Sequence, residues 1–412
     1  MPLFSFNGGI HLPPRKELTR TSPHPALAVP HICHYMLFDS GASLAPTVNK
    51  GDFVAEGQII ARDQSDSVPP VHASIPGRIL SADAIGGIRI EAQGSFPSLH
   101  PADSDIVWKS QHADAVRRSV FLAGISLPLP TGKDIVLIIN TIDSEPNMRT
   151  RNEILRTQKD ELAEGIEICA KALSASRVFI VTDKSSKKDA AALMKMLSAR
   201  TFIHTISMKV ISSKYPMSAA PLVIKRAFKV EVDPARNGLD QGFAVIGSEI
   251  ALAISNAVVH NKPYCERIIT ITGKPVKKPG NYKIRFGTPV SHIMEELGIT
   301  PENIEGVVIG GEMTGKITTD YNTPVDKRAD AILFISQKES LQKGKYPCIR
   351  CGKCADVCPM RLLPNDLAHS ASSESSSLAL RKICINCGCC SAVCPSGIPL
   401  ARMISTTGES DG

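Results

Sequence analysis

CIRCGKCADVCP at residues 348–359 and CINCGCCSAVCP at residues 384–395 are two copies of one pattern, C-x2-C-x2-C-x3-C-P, and together they hold eight of the chain's twelve cysteines. Three cysteines spaced by two residues can wrap a tight turn around one face of a compact inorganic core. The fourth, three residues on and followed by proline, leaves that turn and ligates the neighbouring core in two-cluster arrangements. The spacing assigns Cys348, Cys351, Cys354 and Cys394 to a first [4Fe–4S] cluster. It assigns Cys384, Cys387, Cys390 and Cys358 to a second. Adjacent clusters of this kind carry one-electron transfer.

Zinc is the competing reading, since C-x2-C pairs also bind it. A doubled four-cysteine run with proline after each last cysteine is a poor zinc pattern. A disulfide framework fits a long chain without a secretory signal no better. Cys389 sits beside Cys390 and breaks the symmetry of the two runs. It reads as a substitute ligand or a spare, partly buried thiol, and the spacing favours Cys390 as the ligand. Cys33, Cys169 and Cys265 are isolated and read as core residues.

Working outward, 412 residues accommodate two to four domains, and 43% apolar content supports ordinary globular cores. No stretch reaches the roughly 18 apolar residues of a membrane span. The start, MPLFSFNGGIHLPP, lacks the basic and apolar blocks of a signal peptide. Thiolate ligands must stay reduced, which points to the cytoplasmic side of a membrane with peripheral attachment through a partner. The net charge of +7 includes a basic group around the cysteine runs: Lys343, Lys345, Arg350, Lys353, Arg361, Arg381 and Lys382 against Asp356, Asp366 and Glu374. Such a collar steers an acidic electron carrier or contacts anionic headgroups, or is simply a solvated surface. One Trp, six Tyr and no basic run interleaved with aromatics argue against nucleic acid.

The remaining chain divides by pattern. Residues 1–30, rich in Pro, Gly and basic residues, read as an extended segment. Residues 31–109 carry short alternating strands between turns, as in VNKGDFVAEGQIIA and VHASIPGRILSA, and read as a small barrel-sandwich of the lipoyl type. Carrier domains of that type present a modifiable Lys in a hairpin. Ser74 and Ile75 stand at that position here, against a swinging-arm role. Residues 110–262 alternate strands (134–140, 177–183, 207–213, 242–248) with helices (152–174, 189–197, and one through 259), an α/β domain with a largely parallel sheet. Residues 263–338 read as a β-grasp module with a helix from about Pro289. Residues 339–412 hold the cluster motifs, with HSASSESSS (369–377) as a loop. Gly310-Gly311 reads as a turn. His11, His31, His34 and His72 follow no ligand spacing. Asp143 and Glu145 read as two acids on one face of a strand end, without a partner base.

FNGGIHLPPRKELT (6–19), KGDFVAEGQIIA (50–61), PVHASIPGRI (70–79), LIIN with the acidic segment after it (137–145), ITGKPVKKPGNYKIRFGTPV (271–290) and the two cluster runs occur in one order. Singly the glycine turns are weak signals. In this order, over nearly the whole chain, they resemble the RnfC subunit of the Rnf ion-translocating electron-transport complex. The α/β portion (Rossmann-like) and the β-grasp portion (SLBB-like) are also similar to the flavoprotein subunit of respiratory complex I. The resemblance implies a multidomain α/β plus β chain ending in a helical two-cluster ferredoxin-type domain. It implies other Rnf-type membrane subunits as partners and electron flow through both clusters.

The chain departs from the family where FMN and NADH bind. The family's glycine-rich loop, G-x-G-G-A-x-F-P, corresponds to VFLAGISLPLPTGKD (120–134), with bulky Ile125 and Leu127 beside Gly124. In NTIDSEPN (140–147), Asn140, Glu145 and Pro146 match the family, while Thr141, Asp143 and Ser144 depart. KYPMSAAPL (214–222) lacks the glycines of its counterpart. Glycines let backbone N–H groups approach phosphates without a Cβ in the way, so the FMN/NADH pocket reads as lost or rebuilt. The expectation is an electron relay between ferredoxin and membrane subunits without NADH, with a cytochrome or quinone-like carrier downstream. The alternatives are an FMN-containing NADH:ferredoxin oxidoreductase subunit, a docking scaffold with structural clusters, and a soluble cobalamin-reductase-like relative.

Overall fold

Val136–Asn140 (VLIIN) is buried at every position, as a strand covered by helices on both faces must be. In the computed structural model, which describes residues 8–11, 25–39, 42–94, 108–132, 134–200, 205–212, 214–236, 238–336, 346–370 and 375–406, it lies inside a four-stranded parallel sheet. It pairs with Arg177–Thr182 on one side and Phe243–Gly247 on the other, and Ile206–Val210 lies outside 177–182. The chain reverses its progress across the sheet between 136–140 and 243–247. Open α/β sheets offer a crevice at the carboxyl ends of the strands at such a point.

Six helices clothe this sheet: α1 (Ala113–Leu122), α2 (Thr150–Thr157), α3 (Lys159–Ala172), α4 (Lys187–Ser198), α5 (Ala220–Phe228) and α6 (Ser248–Val259). One face buries Leu137, Ile139, Ile166, Ile180 and Ile254. The other buries Ile138, Val181, Val223 and Ile224, with Phe228 edge-on to Phe179 at 4.7 Å. The single helix expected over 152–174 is two helices parted at Gln158 (φ −128°). The Thr157 hydroxyl donates to the Glu153 carbonyl, a local bond that competes with the helical ladder. Helix α5 grows from a stretch whose sequence reads as an altered loop. Pro221 sits in its first turn, and Lys229 ends it in the left-handed conformation.

The N-terminal portion is a barrel-sandwich. Ile32–Tyr35, Gly87–Ala92, Gly77–Asp83 and Phe53–Val54 form one sheet in that order, and Ala45–Pro46, Ile59–Arg62 and Val71–His72 form the other. Cys33, Ile60, Ile75, Ile79 and Ile90 fill the space between them. Ser74 is fully buried. Its Oγ donates to the Phe286 carbonyl (2.6 Å) and its N–H to the Tyr35 hydroxyl (2.8 Å). The position that carrier domains display is turned inward here and anchors the next sheet.

That sheet runs Gly280–Arg285, Glu266–Thr272, Ala331–Ser336, Ile304–Ile309, Lys316–Thr318, with only 266–272 and 331–336 parallel. Helix α7 (Val290–Leu297) packs Val290, Ile293 and Met294 onto it, a β-grasp order. The C-terminal portion is helical: α8 (Lys353–Asp356), α9 (Pro364–His369), α10 (Ser375–Ile383), α11 (Cys389–Ala392) and α12 (Leu400–Thr406). The low-complexity loop is shorter than expected. His369 ends α9 and Ser375 opens α10, and residues 371–374 lie outside the described set. Among the described residues no helix is long and apolar enough to cross a membrane.

Candidate functional site

Each cysteine run folds the same way. Arg350 (φ 54°) and Gly352 (φ 76°) turn the first run left-handed, and Asn386 (φ 48°) and Gly388 (φ 75°) do so at the equivalent places of the second. A four-residue helix follows each turn, α8 and α11. Arg361 (φ 57°) and Gly397 (φ 65°) occupy matching left-handed positions after the two prolines. The turns aim backbone N–H groups at sulfur: Arg350 N–H donates to Cys348 Sγ (3.4 Å), and Leu362 N–H to Cys358 Sγ (3.3 Å). N–H donors facing thiolates offset the charge that iron–sulfur ligation leaves on the sulfurs.

The thiols sort into two cavities. Cys348, Cys351, Cys354 and Cys394 line one of about 400 Å³, together with Ile398 and Leu400. Cys358, Cys384, Cys387 and Cys390 line a narrower one of about 20 Å³, closed by Met360, Leu362 and Ile404. Each cavity takes three cysteines from one run and the fourth from the other, the crossed sets read from the spacing. Among the described residues no three His, Cys, Asp or Glu side chains converge as ligands of a single ion do. The donor chemistry suits a polynuclear cluster: four thiols around a space wider than one ion, N–H groups on sulfur and an apolar wall. Cys389, fully buried, also faces the second cavity.

The two cavities differ in setting. Cys348 and Cys351 are exposed, with Tyr346, Ile349 and Leu363 exposed around them. The second cavity faces the rest of the molecule. The Tyr215 hydroxyl donates to the Cys387 carbonyl (2.7 Å), and Gly388 packs on the Met313 carbonyl of the β-grasp sheet. The N-terminal segment crosses the same seam. Gly9 N–H donates to the Val357 carbonyl (2.7 Å), and Ile10 bridges to Tyr215 through both of its backbone groups. A Cβ on Gly8 would lie 2.6 Å from the Cys358 backbone. Residue type at Gly8, Gly9 and Tyr215 gave no signal of this role in the sequence, because the contacts are long-range and run through backbone atoms.

The basic collar is smaller than its sequence suggests. Arg350, Lys353, Arg361 and Lys382 are exposed. Arg381 is only 8% exposed and donates to the carbonyls of Ile404, Leu367 and Ser370, so it fastens helices and faces no partner. Lys343 and Lys345 lie outside the described residues.

At the crevice of the parallel sheet the polar groups are tied to one another. Asn140 Nδ2 donates to the Ser218 carbonyl (2.8 Å). The Asp143 carboxylate accepts from Arg151 N–H (2.9 Å) and Asn152 at the start of α2. Arg151 forks onto both oxygens of Glu249 (2.8 Å each), which places a carboxylate in the first turn of α6. Glu145 turns away and accepts from Met313 N–H (2.9 Å) and Thr314 Oγ1 (2.7 Å) beside Gly311. Asp143 and Glu145 therefore lie past the strand end with separate partners and form no acid pair. Burial pushes the Glu145 carboxyl up to about 7, against the opposing effect of those two donors. Gly124 faces the barrel-sandwich, where a Cβ would stand 3.2 Å from His72 Nδ1 and 3.3 Å from the Pro70 carbonyl. That glycine permits domain packing.

The histidines do not gather. His31 lies 3.6 Å from Glu91, His34 Nε2 meets the Gly86 carbonyl at 2.7 Å, His72 is buried against Gly124, and His11 is exposed. Cys33, Cys169 and Cys265 are buried, and burial raises all three thiols, Cys33 to about 11 and Cys169 to about 12.

Known proteins share each part of this arrangement. Residues 4–93 match the RnfC barrel sandwich hybrid domain, residues 119–256 the Nuo51 FMN-binding domain, and residues 347–398 a 4Fe-4S dicluster domain. Over 88% of its length the chain is 29% identical to the RnfC protein of the ion-translocating oxidoreductase complex in Rhodobacter capsulatus and spans 74% of it. It is 31% identical over 89% of its length to the protein of the same name in Edwardsiella ictaluri, of which it spans 48%. The fold resembles a chain of an NAD+-reducing [NiFe]-hydrogenase in its H2-reduced state (TM-score 0.52, 14% identity, 74% of this chain and 63% of that one). With the three domain types in this order and the likeness running through most of its length, the chain is a relative of the RnfC proteins of ion-translocating oxidoreductase complexes.

Proposed function

We propose that this chain is the peripheral electron-transfer subunit of an Rnf-type membrane complex, on the cytoplasmic side, as a component of a redox-driven ion translocase. The crossed sorting of eight thiols into two cavities carries this reading. Cys348, Cys351, Cys354 and Cys394 would hold one [4Fe–4S] cluster, and Cys384, Cys387, Cys390 and Cys358 the other. When bound, the clusters supply one-electron transfer at low potential. The protein's part is to place them: one pair of ligands open to solvent and a docking partner, the other site against Tyr215 and the β-grasp sheet. Arg350, Lys353, Arg361 and Lys382 around the open side suit an acidic carrier such as ferredoxin. The other electron partner in this reading is a membrane subunit leading to a cytochrome or quinone-like carrier.

The reading includes no NADH. A flavin phosphate needs free donors at the strand ends, and the Arg151 guanidinium there is committed to Glu249. The residues of this crevice do not fit that group. The second reading, an FMN-containing NADH:ferredoxin oxidoreductase subunit, is favoured by the match of residues 119–256 to a flavin-binding domain.

Anaerobic purification with iron, sulfide and flavin measured together separates the two. About eight irons per chain without flavin supports the relay. Eight irons with one FMN moves the oxidoreductase reading to first place, and iron near zero or a single zinc per site removes both.

A further inference from the structure

The two cavities are built by one repeated turn, yet they are not equivalent. The first is lined by four thiols and the second by five. The surplus thiol is Cys389, whose counterpart in the first run is the exposed Lys353. Cys389 is fully buried at the first position of α11, and its side chain hydrogen-bonds that of Cys387. Left-handed Gly388 sits on the Met313 carbonyl immediately before it, so the turn is pinned and the thiol cannot swing to solvent. Cys390, which matches Cys354 in the repeat, already completes the set of four with Cys358, Cys384 and Cys387.

A fifth thiol in a four-ligand site has one chemistry left. An S–H is a weak hydrogen-bond donor, and a metal-bound thiolate is an acceptor. Donors to cluster sulfurs stabilise the reduced, more negative state and raise the potential. The open cavity shows no thiol at the matching place, because Lys353 is exposed there.

We propose that Cys389 is a positioning residue of the second cluster site. It donates its S–H to the Cys387 sulfur and thereby sets the second cluster at a higher potential than its own ligand set would give. The inference rests on the cluster reading above and deepens it. It makes the two sites a graded pair in which the buried site holds the electron more tightly.

The test is a redox titration followed by electron paramagnetic resonance on the anaerobically purified full chain, with iron counted first. Iron near eight in the unaltered protein checks the cluster reading independently of Cys389. Cys389→Ala is expected to keep that iron, move one midpoint to more negative potential and leave the other in place. Cys389→Ser, which retains a hydroxyl donor, should lie between the two. Unmoved midpoints and unchanged signals in Cys389→Ala would overturn the proposal. So would loss of one cluster's iron in Cys389→Ala but not in Cys390→Ala, which would make Cys389 the ligand.

Discussion

The Tyr215 hydroxyl reaches the Cys387 carbonyl at 2.7 Å, and this bond ties the α/β layer to the turn of the second cysteine run. Tyr215→Phe keeps the ring and removes the donor, leaving a half-buried carbonyl short of a partner. The expected cost is about 1–3 kcal/mol for undocking the cluster portion. Hydrogen exchange over residues 384–390 should accelerate while iron content holds.

The crossed ligand sets make a pairing prediction. Cys394→Ser should abolish the same paramagnetic signal as Cys351→Ala, although Cys394 belongs to the other run. Cys358→Ser should abolish the signal lost in Cys384→Ser. Each single variant should retain about four of eight irons. If Cys394→Ser instead copies Cys384→Ser, each cluster is held by one run alone.

Much of this was legible in the chain itself, for physical reasons. Thiol spacing encodes the cluster sets because a tight turn permits few arrangements, and VLIIN reads as a buried strand because every position is apolar. The barrel-sandwich and β-grasp strands were visible through alternation around glycine turns. What stayed hidden depends on distant partners. Nothing in PVHASIPG reports that Ser74 is held by Phe286, and nothing in the basic count reports that Arg381 spends its charge on three carbonyls. The break at Gln158 leaves the apolar spacing of α2 and α3 nearly continuous, so periodicity passes over it.

Arg151 and Glu249 form a buried, two-pronged pair at the crevice. Arg151→Met strands the Glu249 carboxylate and should cost about 3–5 kcal/mol in urea unfolding. The double variant Arg151→Met, Glu249→Leu removes both charges and should recover most of that loss. Flavin content should be the same in all three proteins if the crevice binds none.

Glu145 gives a pH dependence with a defined sign. Burial holds its folded pKa at about 7, above the ordinary 4.5, so the folded state binds the proton more tightly than the unfolded chain. This contribution to stability is complete below pH 4.5 and is lost as pH rises through 7. Glu145→Gln mimics the protonated form. Its amide oxygen can accept from Met313 N–H and its amide can donate to Thr314 Oγ1. The variant should unfold with a flatter pH profile between 4.5 and 7, by thermal melts in matched buffers. An unchanged profile would remove Glu145 as its source.

Gly8 adopts φ 82° against the Cys358 backbone. Gly8→Ala meets a strained left-handed backbone worth about 1–3 kcal/mol, before the clash is counted. Gly9 N–H should then lose its protection from exchange, with the α/β core unaffected.

That same contact orders events during synthesis. Residues 8–10 leave the ribosome hundreds of residues before Val357 and Cys358 exist, and their docking place is unfinished until the last portion has been made. The α/β layer, whose pairings lie within residues 113–259, can fold while the chain is still growing. The N-terminal strap cannot. It closes over the second cysteine site only at the end, which leaves that site open to iron and sulfide delivery for as long as the chain is nascent.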